Sequence, residues 1–346
     1  MTAHDVHIVG SVPLPDAETV FRTLGETLGP YVKRLPDGET GERLRWIFFL
    51  EEVFSENPAF ERVDDQFRLH ETAVPMQRYR IRDGVNPADI ELGNLLYADY
   101  AIASWEIFKR LKDEGAVPAD CRFQVDFAPG HSPIRGFVAD ADQPVVEALF
   151  DEGLKREIDR IAAAVPHDQL AMQFDTASAV FFHLERGEPT RYGATKDEMR
   201  ATFAGQLVNL GDHVPPGVEL LYHLCYGDNN HRHSIEPTDT EDMVAISNIV
   251  SANIARTIEL IHMPVPSGRT DDAYFEPLKD LKLRPETEIS LGLVHYTDGV
   301  EGTRRRIATA RNYLEDFAIA TECGFGRRDP ATLPELLRIH AEVAAG

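Results

Sequence analysis

The chain is poor in cysteine, in positive charge and in long apolar runs, and each shortage excludes something. Three cysteines, Cys121, Cys225 and Cys323, stand among 346 residues. A count so low and odd makes no disulfide scaffold and points to a reducing compartment. Lys and Arg number 35 against 58 Asp and Glu, a formal net charge of -23. A surface that acidic disfavours nucleic acid and anionic membranes as partners, because both call for a basic face. No segment approaches the ~20 apolar residues of a spanning helix. The opening MTAHDVHIVGS has neither the basic start nor the apolar run of a signal peptide. Internal repeats, low-complexity tracts and linkers are also lacking. A single domain over residues 1–346, soluble and cytoplasmic, is the expectation.

What is present is alternation. Eight short apolar runs cover Val6 to Val9, Tyr31 to Leu35, Arg122 to Ala128, Leu170 to Phe174, Leu220 to Cys225, Ile258 to Met263, Ile289 to Val294 and Ala318 to Glu322. Each ends near Gly, Pro, Asp or His. Helical periodicity fills most intervals, as in Val146 to Ala164, Lys196 to Leu210 and Asp242 to Arg256. Strands alternating with helices imply parallel βα units, and this number of them predicts an α/β fold of the (β/α)8 TIM-barrel type. The interval Thr40 to Cys121 is far longer than an ordinary connection. It reads as an insertion between strands 2 and 3, near the barrel mouth. Glu42 to Glu52 and Leu95 to Glu114 look helical, and Phe67 to Arg82 alternates like a hairpin around Pro75.

Barrel enzymes gather their chemistry at the C-terminal ends of the strands. Here those ends carry Ser11, Glu39, His131, Asp175, His223, Cys225, His262, His295 and Cys323. The stretch LLYHLCYGDN is the centre of the pattern. His223 and Cys225 are two apart, so a strand presents both on one face. Cys and His are donors that zinc prefers, and Cys323 in TECGFG supplies a third. Three protein ligands with one open position is the pattern of a catalytic zinc. Such an ion deprotonates a bound thiol, leaving a thiolate able to attack an electrophilic methyl group. Glu39 and Asp175 suit the ammonium of an amino-acid substrate, and His295 is placed to hand a proton to the departing group. Taken singly, these residues have plainer readings: Cys225 a small core residue, Asp175 a helix cap, Glu39 a turn residue, His262 a hydrogen-bonded core histidine. Cys121 lies at the wrong strand end and reads as structural. His231 and His233 read as solvated loop residues, and the arginines at 304–306 and 327–328 as helical or peripheral.

These elements resemble the C-terminal catalytic barrel of cobalamin-independent methionine synthase, in the superfamily shared with uroporphyrinogen decarboxylase. IVGSVPLP is similar to that family's I-G-S-F-P opening, and Asp37-Gly38-Glu39 to its H/D-G-E element. Gln173-Phe174-Asp175 resembles its Q-I-D-E-P. His223-Leu224-Cys225-Tyr226 matches its H-x-C-Y zinc strand. Leu293-Val294-His295 is similar to its D-I-H-S, and Glu322-Cys323-Gly324 to its P-D-C-G. The matches keep the family's order over nearly the whole chain.

The resemblance implies a zinc methyltransferase that activates homocysteine or a similar thiol. The methyl donor is left open among a folate, a corrinoid and a methylated small molecule. It implies that Glu39 and Asp175 bind the substrate amino group and that Ser11 contacts the substrate through its backbone. The family's fourth zinc ligand is a Glu at the end of strand six. The nearest matching position here is His262, either as a direct ligand or behind one, with Glu259 three residues earlier. Thr176 stands where the family has a second acid. Two other readings compete. A uroporphyrinogen decarboxylase-like lyase needs basic residues to hold substrate carboxylates. An inactive small-molecule-binding barrel fits the changed fourth ligand and Thr176.

Overall fold

The computed structural model describes residues 4–69, 71, 73–227 and 233–346. Its frame is a curled sheet of seven parallel strands. Arg34–Pro36 (β1) pairs with Arg122–Phe127 (β4), followed in order by Leu170–Thr176 (β5), Glu219–Leu224 (β6), Leu260–Pro264 (β7), Glu288–Gly292 (β8) and Ala318–Ile319 (β9). Phe60–Phe67 (β2) and Met76–Ile81 (β3) form a separate antiparallel hairpin. β5 is buried along its whole length, the pattern of a parallel strand covered on both faces.

Helices join the strands, and each buries one face. Ala17–Leu28 turns Val20, Phe21, Leu24 and Leu28 inward, and Asp16 caps it by accepting from Thr19 N at 2.8 Å. Lys196–Gly211 starts from a reciprocal capping box between Thr195 and Glu198. No helix among the described residues is long and apolar enough to cross a membrane.

The first apolar run forms no regular strand. Within it only Val6 bridges in parallel, to Val32 before β1 on one side and to Ile319 of β9 on the other, so it links the two edges of the sheet. Beyond it the backbone is held by side chains. Gln124 of β4 donates to Ile8 O at 3.0 Å, and Gln173 of β5 donates to Val9 O at 2.6 Å. The carbonyls that a ladder would have used are answered from inside the sheet, which is why the run does not extend as a strand.

The long interval departs from its expected pattern in two places. The hairpin begins at Phe60, and residues 68–75 connect its strands, with Phe67 facing Met76. β2 is largely exposed, so its hydrophobic alternation is faint. The expected helix at Glu42 to Glu52 is a 3-10 segment, Gly41–Leu50, that breaks at Arg45 and Trp46 before the short helix Glu51–Ser55. Trp46 has φ 60°, a left-handed conformation that a bulky residue adopts only under constraint.

Gln173 ties the segment 6–9 to the sheet, so its loss tests this arrangement. Gln173→Leu strips Val9 O and Asp175 of a donor and His7 of its partner. Urea unfolding should show a loss of about 2 kcal/mol or more. A variant as stable as the parent would show that these bonds do not hold the segment.

Candidate functional site

Strand register sets the first row of the site. Asp175 of β5 lies beside His223 of β6, which lies beside His262 of β7. The ladder runs one bond past β6, with Cys225 N donating to Thr176 O at 2.9 Å. Cys225 therefore follows His223 on the same face. Cys323 arrives from the turn after β9. The candidate ligand atoms of His223, Cys225 and Cys323 all lie within 4.8 Å of one another.

The hydrogen bonds behind His223 fix which of its nitrogens faces the cysteines. Thr321 O only accepts, so His262 Nε2, 3.1 Å away, carries a hydrogen. Burial, then the neighbouring His223 charge, pushes the His262 pKa well down, and the ring is neutral. Its bare Nδ1 accepts from His223 Nδ1–H at 2.7 Å. His223 Nε2 is left with a free lone pair, buried and without a partner among the described residues. His262 thus stands behind His223 and does not join the other three. Its role there is that of the outer partner that orients a ligating histidine.

The sulfurs have the spacing of a shared ion. Two thiolates ~2.3 Å from one tetrahedral zinc are about 3.8 Å apart. Cys225 Sγ and Cys323 Sγ are 3.8 Å apart. The Cys323 thiol is held well below its ordinary range by the contact with Cys225, against the opposing effect of burial and with help from Arg327. Arg327 Nη2 donates to Cys323 Sγ at 2.9 Å. Contact with Cys323, together with burial, pushes Cys225 up, so the pair shares one proton. Donor types, spacing and an unpartnered imidazole nitrogen fit a zinc ion.

A cavity of about 350 Å³ opens over these residues. Ser11, Glu39, Asp175, His223, Cys225, Cys323 and Arg327 line its inner part. The 3-10 segment and the hairpin line its outer part with Trp46, Phe48, Phe67 and Met76. Gly10 and Ser11 line the cavity too, and Ser11 Oγ accepts from Gly326 N at 3.3 Å. Glu39 sits in a turn with positive φ at Gly38 and at Glu39 itself. A Cβ on Gly38 would fall 2.7 Å from Val20, so glycine is needed there.

Three carboxyls crowd together here: Glu39 and Asp175 line the cavity, and Asp126 is buried within their electrostatic range. Burial, then the charge of Glu39, raises Asp126 well above its ordinary range. Burial, then Asp126 and Glu39, does the same to Asp175. Burial also lifts Glu39 to about 7, with Arg43 opposing and Asp37 assisting. Gln124 and Gln173 each donate at 2.9 Å to the carboxyl two residues ahead, Asp126 and Asp175. Asp126 Oδ2 is buried without a partner among the described residues, and a methyl placed on Gly10 would lie 3.0 Å from it and 3.5 Å from Glu39 Oε2. Such a set is electrostatically poised for a cation.

The remaining sites fall elsewhere. His295 does not line the cavity. Its Nε2 donates to Val265 O at 2.8 Å, and its Nδ1 stands 3.7 Å from Glu322. His131 faces the helix Lys196–Gly211, against Phe203 and Gln206. His233 is not solvated: it bridges Glu236 and Glu322, and although burial opposes charge there, those two acids raise it to about 9. His231 lies outside the described residues. Cys121 is buried, and burial raises its thiol to about 12. The arginines expected at the periphery are not all there. Arg306 is buried against Asp298 and Leu293 O, and Arg327 enters the cavity.

No protein-family model matches the chain, and no curated protein does. Solved structures do. A protein from Listeria monocytogenes assigned as a vitamin-B12-independent methionine synthase is similar over 100% of this chain and 98% of its own, with TM-score 0.58 and 14% identity. A B12-independent methionine synthase from Shewanella sp. W3-18-1, in complex with selenomethionine, is similar over 99% of this chain and 98% of its own, with TM-score 0.63 and 12% identity. The chain shares their fold.

The carboxyl cluster has a pH signature. Glu39 is raised in the fold from 4.5 to about 7, so its protonated form favours folding. That contribution is full below pH 4.5 and is lost as pH rises through 7. Burial and the Glu39 charge also hold the Asp126 carboxyl well above its ordinary range, so it adds to the same loss, and Asp126→Asn should lessen it. Melting temperatures taken between about pH 5 and pH 8 should fall less for the variant, by the equivalent of on the order of 1 kcal/mol. Parallel curves for the two proteins would show that the carboxyls do not interact.

Proposed function

We propose that the chain is a zinc-dependent methyltransferase that activates the thiol of an amino acid, homocysteine or a close analogue. The observation that carries this reading is the meeting of His223 Nε2, Cys225 and Cys323 in the same cavity as Glu39 and Asp175. The shared fold of B12-independent methionine synthases supports it, and the amino-acid ligand of the Shewanella protein supports an amino-acid substrate. In this reading residues 1–346 form one (β/α)8 barrel. Asp5 to His7 stand in for the first strand, and residues 40–121 are an insertion over the mouth. The methyl donor is a folate, a corrinoid or a methylated small molecule, and the protein works in the cytoplasm in methionine formation.

Zinc at this site supplies one thing, a positive charge that keeps a substrate thiol ionised at neutral pH. The rest falls to the chain's own groups. His223, Cys225 and Cys323 are the ligands, and His262 orients His223 so that the fourth position stays open to the substrate. Glu39 and Asp175 take the substrate ammonium, with Asp126 behind them. An incoming ammonium replaces the protons these crowded carboxyls retain, and each charged hydrogen bond fixes the amino acid beside the sulfurs. Ser11 offers backbone groups to the carboxylate end of the substrate. His295 positions Glu322, next to Cys323, and does not reach the cavity as a proton donor.

Protein supplied with zinc should hold about one ion per chain by elemental analysis. Cys225→Ser and Cys323→Ser should lose it. His262→Phe keeps all three ligands and should weaken zinc about 10–100-fold in competition with a chelator. Glu39→Gln should leave zinc content unchanged and weaken homocysteine about tenfold or more, because a charged hydrogen bond is lost. A parent protein that stays metal-free with zinc supplied, or a Cys225→Ser protein with full zinc, would sink the proposal.

A further inference from the structure

The wall of the cavity formed by the helix His131–Phe137, which follows β4, carries a cation, Arg135, that makes no salt bridge among the described residues. Ser132 and Arg135 are one helical turn apart and both line the cavity. Arg135 Nη1 is buried and has no hydrogen-bond partner among the described residues, and neither has the buried Ser132 Oγ. Other arginines withdrawn from solvent are treated differently. Arg43 meets Asp37, Arg78 meets Asp65, Arg200 meets Asp242 and Arg306 meets Asp298. In a chain with 58 acidic residues, a carboxylate for Arg135 is not scarce. The acid within its electrostatic range, Asp140, is engaged instead by Arg78 and Gln143.

Arg135 is held in place by rings. Its guanidinium carbon lies 5.1 Å from the centre of Phe67 and 4.8 Å from that of Phe182. Cation–π contacts steady the charge but satisfy none of its N–H donors. A half-buried guanidinium and a buried hydroxyl without partners are costly unless a ligand supplies acceptors. A carboxylate does so best, because its two oxygens match the fork of the guanidinium. Around this pair the wall is apolar, with Phe67, Met76 and Ala179.

We propose that Ser132 and Arg135 form a carboxylate-binding subsite, and that the second ligand of this cavity is an acid carried on an apolar body. The subsite stands on these two residues alone; that its occupant is a second substrate rests on the function proposed above. The amino-acid site and this one sit in a single cavity with opposite charge. An acid at Arg135 and an ammonium at Glu39 and Asp175 are thereby kept from exchanging places.

Binding of three probes to the full chain tests this: 3-phenylpropionate, its uncharged amide, and 2-phenylethyl phosphate. Calorimetry gives the affinities, with and without zinc supplied. The acid should bind about tenfold tighter than the amide or better, since only the acid pairs with the charge. Arg135→Gln should erase that difference, and Arg135→Lys should keep part of it. Ser132→Ala should weaken the acid several-fold and leave the amide unchanged. Circular dichroism and melting show whether each variant folds, and the Lys variant decides if the Gln variant does not. Equal binding of acid and amide, no binding of the acid, or a preference that survives in Arg135→Gln overturns the subsite. Tighter binding of the phosphate overturns its assignment to carboxylates. Zinc content measured in the same samples separates the two claims. A chain that binds the acid but no zinc sinks the metal reading and leaves this one standing.

Discussion

Two backbone carbonyls that no strand can answer govern this structure. Ile8 and Val9 run inside the sheet, where water cannot reach and the ladder has stopped. Gln124 and Gln173 answer them, and the same amide nitrogens reach Asp126 and Asp175. An amide has two N–H donors, and here one serves the fold and the other the site. The Oε1 of Gln173 faces His7, whose ring burial, then the charge of Arg34, keeps near a pKa of about 3 and so neutral. Entry of the chain into the sheet and the aim of two carboxyls are one event, not two. A group left over in a polar network this deep is costly, and among the described residues Gln124 Oε1 and Asp126 Oδ2 are left over.

The charges above that network are arranged against the comfort of the empty fold. Glu39, Asp126 and Asp175 repel one another, Cys225 and Cys323 contend for one proton, and Arg135 Nη1 is buried without a hydrogen-bond partner among the described residues. Each is a small instability that a ligand of the opposite sign removes. The backbone at Trp46 adds strain of the same local kind, at the outer rim of the same cavity. The rest of the chain is well enough packed to hold these groups in place: β5 is wholly buried, and an aromatic cluster of Phe21, Trp105, Phe108 and Phe123 fills the space outside β1 and β4.

The parts of this arrangement that follow a period were legible in the sequence. The strand runs from Arg122 to Ala318 lie within a few residues of their expected positions, because buried parallel strands are continuous apolar runs. The H-x-C pair and Cys323 were legible because donor type and strand spacing suffice. What depends on a partner far along the chain was not. Val6 to Val9 reads as a strand by composition, and only the glutamines from two other strands explain why it is none. Asp126 was overlooked inside an apolar run, yet Gln124-x-Asp126 repeats Gln173-x-Asp175 on the next strand, and that repeat was a usable signal. Arg327 and Arg135 carry no local mark at all. Their positions come from a turn and a short helix whose direction only the folded sheet decides. His262 was expected as a direct zinc ligand or behind one, and its place behind the His223 ring hangs on one carbonyl, Thr321 O.

Gly324 and Gly326 lie hard against Ser11. A Cβ on the first would fall 2.4 Å from Ser11 Oγ, and one on the second 2.6 Å from Ser11 Cβ. The bond between Gly326 N and Ser11 Oγ spans 315 positions of sequence, and Cys323 stands 98 positions after Cys225. Closing loops of that length comes late, since their entropy is lost before the contact repays it. On a ribosome the second sulfur of the site emerges after every described strand has been made. The contacts of the site are therefore expected among the last to form. The site is a seal set at the end, and a nascent chain must become compact through its core and its glutamines before any metal can lend it strength.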